Sequence, residues 1–258
     1  MRPNPVKQKI YDGHVSLGTF VFEFDSSGVA RLACEAGSEF IVFDMEHTGW
    51  SVETIRTLLA TTPMDRMVPM VRVPATEYHF IARVLDVGSM GIMVPMVETE
   101  EQARRIVSSA KYPPRGRRGA AFGIAHDDYQ GGDIREVISS ANSEQILIAQ
   151  IETAEGVKNA DAIASVEGID VLWIGHFDLT NSLGIPGQFE HPDFLSAVQK
   201  VSDACQRHKK VGGFMAGSVN EALQRIEQGL RIVAYGGDLW LYQQTLRDGL
   251  NGVRGQLQ

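Results

Sequence analysis

Short apolar runs recur along the chain, each preceded by an amphipathic stretch and a glycine. Val29 to Ala36, Gly37 and Phe40 to Phe43 form one such unit; Phe80 to Val87, Gly88 and Gly91 to Val94 a second; Ala222 to Gln228, Gly229 and Leu230 to Ala234 a third. A glycine just past a helix supplies the left-handed cap, and an apolar run that does not alternate fits a strand covered on both faces. Helix starts are marked as well. Thr99-Glu100-Glu101-Gln102 and Ser218-Val219-Asn220-Glu221 both fit the capping box, in which hydroxyl and carboxylate or amide satisfy free backbone donors reciprocally. The pattern predicts strands at Val15 to Phe22, Phe40 to Asp44, Met67 to Arg72, Gly91 to Pro95, Ile146 to Ile151, Val171 to Gly175, Val211 to Met215 and Arg231 to Tyr235.

Eight strands alternating with helices predict a (β/α)8 TIM barrel. The rival, a doubly wound open sheet, normally carries a glycine-rich phosphate-binding turn after its first strand, and none follows Val15 to Phe22. Nothing resembling a linker divides the 258 residues, so a single domain is expected, with a short N-terminal extension and a C-terminal helix from Leu239 to Leu257. That helix either seals the outside of the barrel or packs on a neighbour. The stretch from Tyr112 to Asn142 breaks the period and is expected to overhang the mouth, as long irregular loops in compact domains often do.

Composition narrows the function. A net charge of -8 opposes a nucleic-acid backbone, and the basic cluster Arg115-Gly116-Arg117-Arg118 lacks interleaved aromatics. No apolar stretch approaches a membrane span, and Met1 to Lys7 carries no signal-peptide core, which makes the cytoplasm the expected location. Cys34 and Cys205 lie far apart without metal or redox spacing and read as buried, inert thiols.

The chemistry stands at the ends of the apolar runs. Asp44-Met45-Glu46-His47, Arg72, Glu152 and Asp178 each close a predicted strand unit, and strand carboxyl ends converge on one rim of a barrel. Glu152 and Asp178 offer hard oxygen ligands suited to Mg²⁺ or Mn²⁺. Arg72 suits a substrate carboxylate or a developing oxyanion, and His47 a proton shuttle. Each has a structural counterpart: helix caps for the acids, a salt bridge for Arg72, a loop hydrogen bond for His47. Their shared position at strand ends favours a site. No lysine ends a strand: Lys209 and Lys210 precede one, Lys158 lies in a helix, and Lys111 and Lys200 fall in polar surroundings. A Schiff-base route is therefore disfavoured. Gly236-Gly237-Asp238, after the last strand, reads either as an anion-binding turn or as a tight turn into the final helix.

Asp44-Met45-Glu46-His47, Val71-Arg72-Val73-Pro74, Leu85-Asp86-Val87-Gly88, Val94-Pro95-Met96-Val97, Tyr112-Pro113-Pro114-Arg115-Gly116-Arg117-Arg118-Gly119, Gln150-Ile151-Glu152-Thr153 and Gly175-His176-Phe177-Asp178-Leu179 together resemble the HpcH/HpaI family of metal-dependent (class II) pyruvate aldolases. The resemblance runs from about Ser16 to Gly236. It implies a barrel assembled as a hexamer, a trimer of dimers, that cleaves or forms 4-hydroxy-2-oxo acids with pyruvate as nucleophile and an aldehyde as acceptor. By the same resemblance, Glu152 and Asp178 bind the divalent metal (Mg²⁺, Mn²⁺ or Co²⁺), and Arg72 binds the 2-oxo acid and stabilises its enolate. His47 is the catalytic base, with Asp86 orienting its imidazole, within the chain or across a subunit boundary. Gln150, Gly175 and Phe177 meet the substrate, and Glu46 and Asp44 hold metal-bound waters. His176 and Phe177 depart from the Gly-Pro that many relatives carry before the metal aspartate, and with Trp50 they bear on the shape of the aldehyde side. Two further readings stay open: related enolate chemistry, such as oxaloacetate decarboxylation or another carbon–carbon condensation, and a non-catalytic barrel serving binding or assembly.

Overall fold

A computed structural model describes residues 2–257 and shows eight parallel strands closed in sequence order into one barrel. The strands are β1 (Ser16–Val21), β2 (Phe40–Asp44), β3 (Val68–Arg72), β4 (Gly91–Val94), β5 (Ile146–Ile151), β6 (Val171–Ile174), β7 (Val211–Ala216) and β8 (Ile232–Gly237). The helices are α1 (Pro5–Tyr11), α2 (Val29–Glu35), α3 (Val52–Thr61), α4 (Tyr78–Asp86), α5 (Glu100–Ala110), α6 (Ile134–Glu144), α7 (Ala154–Lys158), α8 (Ala160–Ser165), α9 (His176–Ser182), α10 (Pro192–Arg207), α11 (Val219–Glu227) and α12 (Asp238–Gln256). The predicted TIM barrel is present, with every predicted strand within two residues of its observed ends. The capping box at Thr99 forms in full: its hydroxyl accepts from the Gln102 amide and the Gln102 side chain accepts from the Thr99 amide.

Two apolar layers divide the strand residues by parity. One faces the helices and includes Ile41, Phe43, Val71, Ile92, Val94, Leu147, Ile151 and Ile174. The other fills the barrel interior with Phe40, Val42, Val68, Met70, Met93, Ile146, Ile148, Val171 and Trp173. Because both faces are buried, the alternation is invisible in the hydrophobic pattern. It decides the site nonetheless: continuing the interior parity by two residues gives Asp44, Arg72, Gln150 and Gly175, all at the carboxyl ends.

At the opposite end, α1 plugs the barrel. Asn4 caps this helix by accepting from the Lys7 amide and ties it to the Glu144 carbonyl. Val6 and Ile10 point into the interior layer, and burying each contributes roughly 1.5–3 kcal/mol.

The stretch from Tyr112 to Asn142 does not overhang the mouth. Helix α5 descends from the rim, so the chain after Ala110 emerges at the strand-start face and must re-enter β5 from there. Its anchors are at that face and along α4: Arg118, with its side chain fully buried, pairs with Asp86 at 2.6 Å, and Gly119 donates to the Tyr78 hydroxyl. The Arg118 guanidinium is fully buried while Asp86 is 31% exposed, so losing Asp86 would leave a buried charge without its carboxylate, which makes Asp86–Arg118 a main fastening of this segment. The segment also holds helical structure, a short 3-10 turn at Ala125–Asp127 and α6, whose N-cap Asp133 accepts from the Arg135 and Glu136 amides.

Helix α12 leaves the barrel. None of its residues is buried, and Trp240, Leu241, Tyr242, Leu246, Leu250 and Val253 are exposed. It therefore does not seal the barrel wall, the first of the two roles expected for it. Beside its first turns a cavity of about 410 Å³, bordered by Leu17, Phe24, Val29, Leu32 and Leu241, stays open. Among the described residues no helix is long and apolar enough to cross a membrane. Cys34 and Cys205 are buried and free, and burial pushes the Cys205 thiol up to about 12.

Lys111 departs from its expected polar surroundings. It is 2% exposed at the end of α5, donates to the Asn142 carbonyl, and is pushed down to about 7 by burial, with repulsion from Lys7, Arg115 and Arg118 opposed by Asp170. A depressed amine is what a Schiff base uses, yet this one lies at the strand-start face, away from the rim. Its folded value is below its ordinary 10.5, so its contribution to stability is fully present above that value and declines as pH falls to about 7. Urea denaturation of wild type and Lys111→Met should show the wild type gaining on the variant from pH 7 to pH 10; a pH-independent difference would exclude the uncharged amine.

Candidate active site

Strand register places the first pair of charges. In β2 and β3, Asp44 and Arg72 are direct partners, both last in their strands and both on the interior parity. Arg72 Nε donates to Asp44 Oδ1 at 2.6 Å, and its Nη1 lies 3.0 Å from Glu46 Oε2. The guanidinium also lies over the rings of Phe20 and Phe22, with centroids at 5.5 and 5.7 Å. Charge pairing on one side and ring faces on the other hold the fork in one orientation. Asp44 also shapes the following turn by accepting from the Glu46 and His47 amides.

Across the barrel, Glu152 follows β5 directly. Its Oε1 accepts from the Met96 amide at 2.6 Å, and its Oε2 accepts from Gln150 Nε2. Met96 takes a left-handed conformation (φ +54°), unusual for a non-glycine residue, at the end of β4 where its amide meets Glu152. Gly175, at the end of β6, has to be a glycine: a Cβ there would stand 2.3 Å from Glu152 Oε2 and 2.9 Å from Gln150 Nε2. Asp178 enters from the first turn of α9.

These groups border one cavity of about 100 Å³, lined by His47, Arg72, Gln150, Glu152, Gly175, His176, Phe177 and Asp178 among the charged and turn residues and by Phe22, Met215 and Trp240 at the apolar edge. Burial pushes Glu152 up to about 7 against its two hydrogen bonds, with Glu46 and Asp178 adding repulsion. Burial likewise pushes Glu46 up to about 7, with Arg72 opposing and Asp44 and Asp178 adding to it. Two buried carboxylates held toward their protonated forms, with Asp178 beside them, are a donor set that a cation would relieve. Gln150 Oε1 is buried without a hydrogen-bond partner, and Glu46 Oε2 is buried with Arg72 as its ion-pair partner. These hard oxygens fit a divalent ion. Among the described residues no group of three His, Cys, Asp or Glu side chains converges as a complete protein cage, so the fit is to an ion held by few protein ligands with positions left for substrate and water.

His47 stands at the cavity edge with its side chain 57% exposed and its Nε2 3.6 Å from Glu46 Oε2. The imidazole's neighbour within the chain is thus Glu46. Asp86, expected as the orienting partner, ends α4 at the far face and pairs with Arg118. A helix returning from the rim necessarily delivers its last residue to the strand-start end, so within one chain Asp86 does not reach the imidazole. Phe177 is exposed at the mouth, while Trp50 packs on the layer between strands and helices and does not line the cavity. His176 is buried among Phe177, Phe189 and Phe214, and burial, with Arg225 nearby, pushes it down to about 4 and keeps it neutral.

The aromatic wall of Phe20, Phe22, Trp173 and Trp240 was not legible as part of the site. For Phe20, Phe22 and Trp173 the only sequence signal was interior parity along β1 and β6, which the continuous apolar runs conceal, and Trp240 joins them from α12.

Comparison with known proteins agrees with this architecture. Residues 19–244 match the model of the HpcH/HpaI aldolase/citrate lyase family, so the chain belongs to that family. It is 35% identical over 210 residues, 81% of each chain, to 5-keto-4-deoxy-D-glucarate aldolase of Shigella boydii. The crystal structure of an HpcH/HpaI aldolase from Desulfitobacterium hafniense is similar at TM-score 0.92 and 30% identity, covering 96% of each chain. That of citrate synthase SbnG is similar at TM-score 0.87 and 28% identity, covering 97% of each. The family thus spans aldolases and citrate-synthase-like members.

Gly175→Ala should displace Glu152 and Gln150 while leaving the far face of the barrel intact. We expect a melting temperature within a few degrees of wild type and manganese affinity, read by electron paramagnetic resonance, weakened by about tenfold or more. Unchanged affinity would show that Glu152 is not held through the open space at Gly175.

Proposed function

We propose that this chain is a divalent-metal-dependent aldolase that cleaves or forms 4-hydroxy-2-oxo acids, with pyruvate as the nucleophilic half and an aldehyde as acceptor. The observation that carries the reading is that one small cavity at the strand carboxyl ends is lined by the fixed Arg72 guanidinium, the buried Glu152 carboxylate and Asp178, with Glu46 paired to Arg72 beside it. That combination suits a small 2-oxo acid bound between Arg72 and a metal.

Glu152 and Asp178 hold the ion, which when bound supplies Lewis-acid stabilisation of enolate charge. Arg72 binds the 2-oxo acid and adds positive charge where the enolate oxygen develops. Gln150 and the Gly175 turn contact the acid, and Phe177 borders the acceptor side. His47 takes the proton from the C4 hydroxyl as the C3–C4 bond breaks. The bonding electrons become the enolate, the aldehyde leaves, and protonation at C3 gives pyruvate. Glu46, 3.6 Å from the imidazole, is the group within the chain that steadies it.

Deuterium incorporation into the methyl group of pyruvate in D₂O, followed by NMR, tests the enolate without the acceptor. Exchange should require added Mg²⁺, Mn²⁺ or Co²⁺, disappear in Glu152→Ala and Asp178→Ala, and fall by about 100-fold or more in Arg72→Ala. Exchange by folded, metal-depleted Glu152→Ala would remove the ligand set. No exchange with any metal would transfer the reading to another 2-oxo acid, oxaloacetate first, or to a binding barrel.

The same reading includes a homo-oligomer assembled through α12. Its exposed apolar residues and the open apolar cavity beside its root belong to one chain, and self-complementary surfaces on one chain are what a two-fold contact requires. Sedimentation velocity should give an oligomer for wild type and a smaller species for Leu246→Glu/Leu250→Glu. A wild-type monomer at micromolar concentration would end the proposal.

A further inference from the structure

The first turn of α12 reaches back to Arg72 through one loop. Asp238 accepts three consecutive backbone amides after β1: Phe22 to Oδ1 at 2.9 Å, then Glu23 and Phe24 to Oδ2 at 3.0 and 2.7 Å. Three donors on one carboxylate leave the loop little freedom, and charge-assisted bonds of this kind are about twice as strong as neutral ones. The turn starts the final helix, the second of the two roles expected for it, and Asp238 adds a function beyond that. It presents an anion to the amides of β1's exit.

Trp240, two residues farther on in the same first turn, packs its ring edge-to-face on Phe22 with centroids 4.9 Å apart. Phe22 in turn stacks on Phe20 at 5.5 Å and 17°, and both rings lie against the Arg72 guanidinium. Gly237 makes the contact sterically possible: a Cβ there would lie 2.8 Å from the Phe22 ring and 2.9 Å from the Trp240 ring. The chain of contacts is thus Asp238 and Trp240 to Phe22 to Arg72. Asp44 and Glu46 hold the other side of the guanidinium.

We propose that Asp238 and Trp240 are positioning residues for Arg72: by fixing the loop after β1 they press Phe22 onto the guanidinium and set its orientation toward the 2-oxo acid. Neither residue needs to touch substrate. The claim deepens the proposed function and rests on it for the identity of the acid, but the placement of Arg72 stands on geometry alone. A guanidinium released from Phe22 keeps its carboxylate partners while its outer edge opens to water. Misplacement of a binding group on this scale is enough to weaken a bidentate contact severely.

Two readouts separate this from a purely structural role. The first needs no activity: phenylglyoxal modification of Arg72, mapped by mass spectrometry in native protein. Trp240→Ala and Asp238→Asn should raise the Arg72 modification rate by about fivefold or more relative to Arg231, with Trp240→Phe restoring the slow rate because a ring still covers Phe22. Melting temperatures monitor folding in parallel, and Trp240, 45% exposed, should be replaceable with little change. The second readout is the pyruvate concentration dependence of deuterium exchange. KM should rise by about fivefold or more in both variants, kcat should change less, and Trp240→Phe should recover the parent value.

Equal Arg72 modification rates in wild type, Trp240→Ala and Asp238→Asn would overturn the proposal. So would a loss of exchange that tracks melting temperature rather than KM. If wild type shows no pyruvate exchange at all while Arg72 still becomes reactive in the variants, the proposed substrate is wrong and the positioning contact remains.

Discussion

The structure depends on a single constraint: a guanidinium must be kept inside the mouth of an apolar barrel. Arg72 is 8% exposed in its side chain and follows an interior column of Val68 and Met70. Such a charge is tolerated only when paired and hydrogen-bonded. Parallel register supplies the pairing by placing Asp44 opposite it, and the turn after Asp44 brings Glu46 to the second nitrogen. The aromatic faces of Phe20 and Phe22 cover the remainder. Take away the register and the same residues become uncompensated buried charges, so the fold's stability and its chemistry share one set of contacts.

The two ends of the barrel divide the work. At the strand-start face, Val6 and Ile10 close the interior, while Asp86–Arg118 and the Lys111 contacts bind the long segment after α5. At the carboxyl end, burial and the charge of neighbouring carboxylates push both Glu46 and Glu152 up to about 7. Such an arrangement is costly, because buried carboxylates without an opposite charge are held toward their protonated forms. The cost is carried by the apolar layers beneath it. Helix α12, which leaves its apolar residues unburied, begins with the residues that steady the loop over Arg72, so any contact made by that helix bears on the site.

Much of this was legible. Apolar runs, three of them preceded by an amphipathic stretch and a glycine, located all eight strands, because glycine caps and continuous apolar runs are local properties. The charges at the ends of those runs pointed to Arg72, Glu152 and Asp178, which the structure brings to one cavity, because several charges closing strand units are less readily explained by caps and salt bridges than any one of them alone. Less was legible wherever direction mattered. The segment from Tyr112 to Asn142 read as an overhang because it broke the period, and Lys111 read as polar because it follows Ser108 and Ser109, with no local sign of the buried face it meets. Asp86 stood in a motif beside residues that serve the rim, yet α4 carries it to the other end. The aromatic cover of Arg72 was hidden because Phe20, Phe22 and Trp240 come from opposite ends of the chain.

The sequence by itself determined the alternation of elements, the number of strands and the residue types delivered to their ends, since periodicity, caps and turn chemistry act over a few residues. Tertiary structure alone decided which of those residues meet. The closing register of β1 with β8 brings the first loop under α12, and the β2–β3 register makes Asp44 and Arg72 a pair. Which face of each strand looks inward follows from barrel closure, because the strands are apolar on both sides and carry no local record of it. Distances between side chains remote in sequence are set by the packing of the whole sheet, and the chemistry of this site consists of such distances.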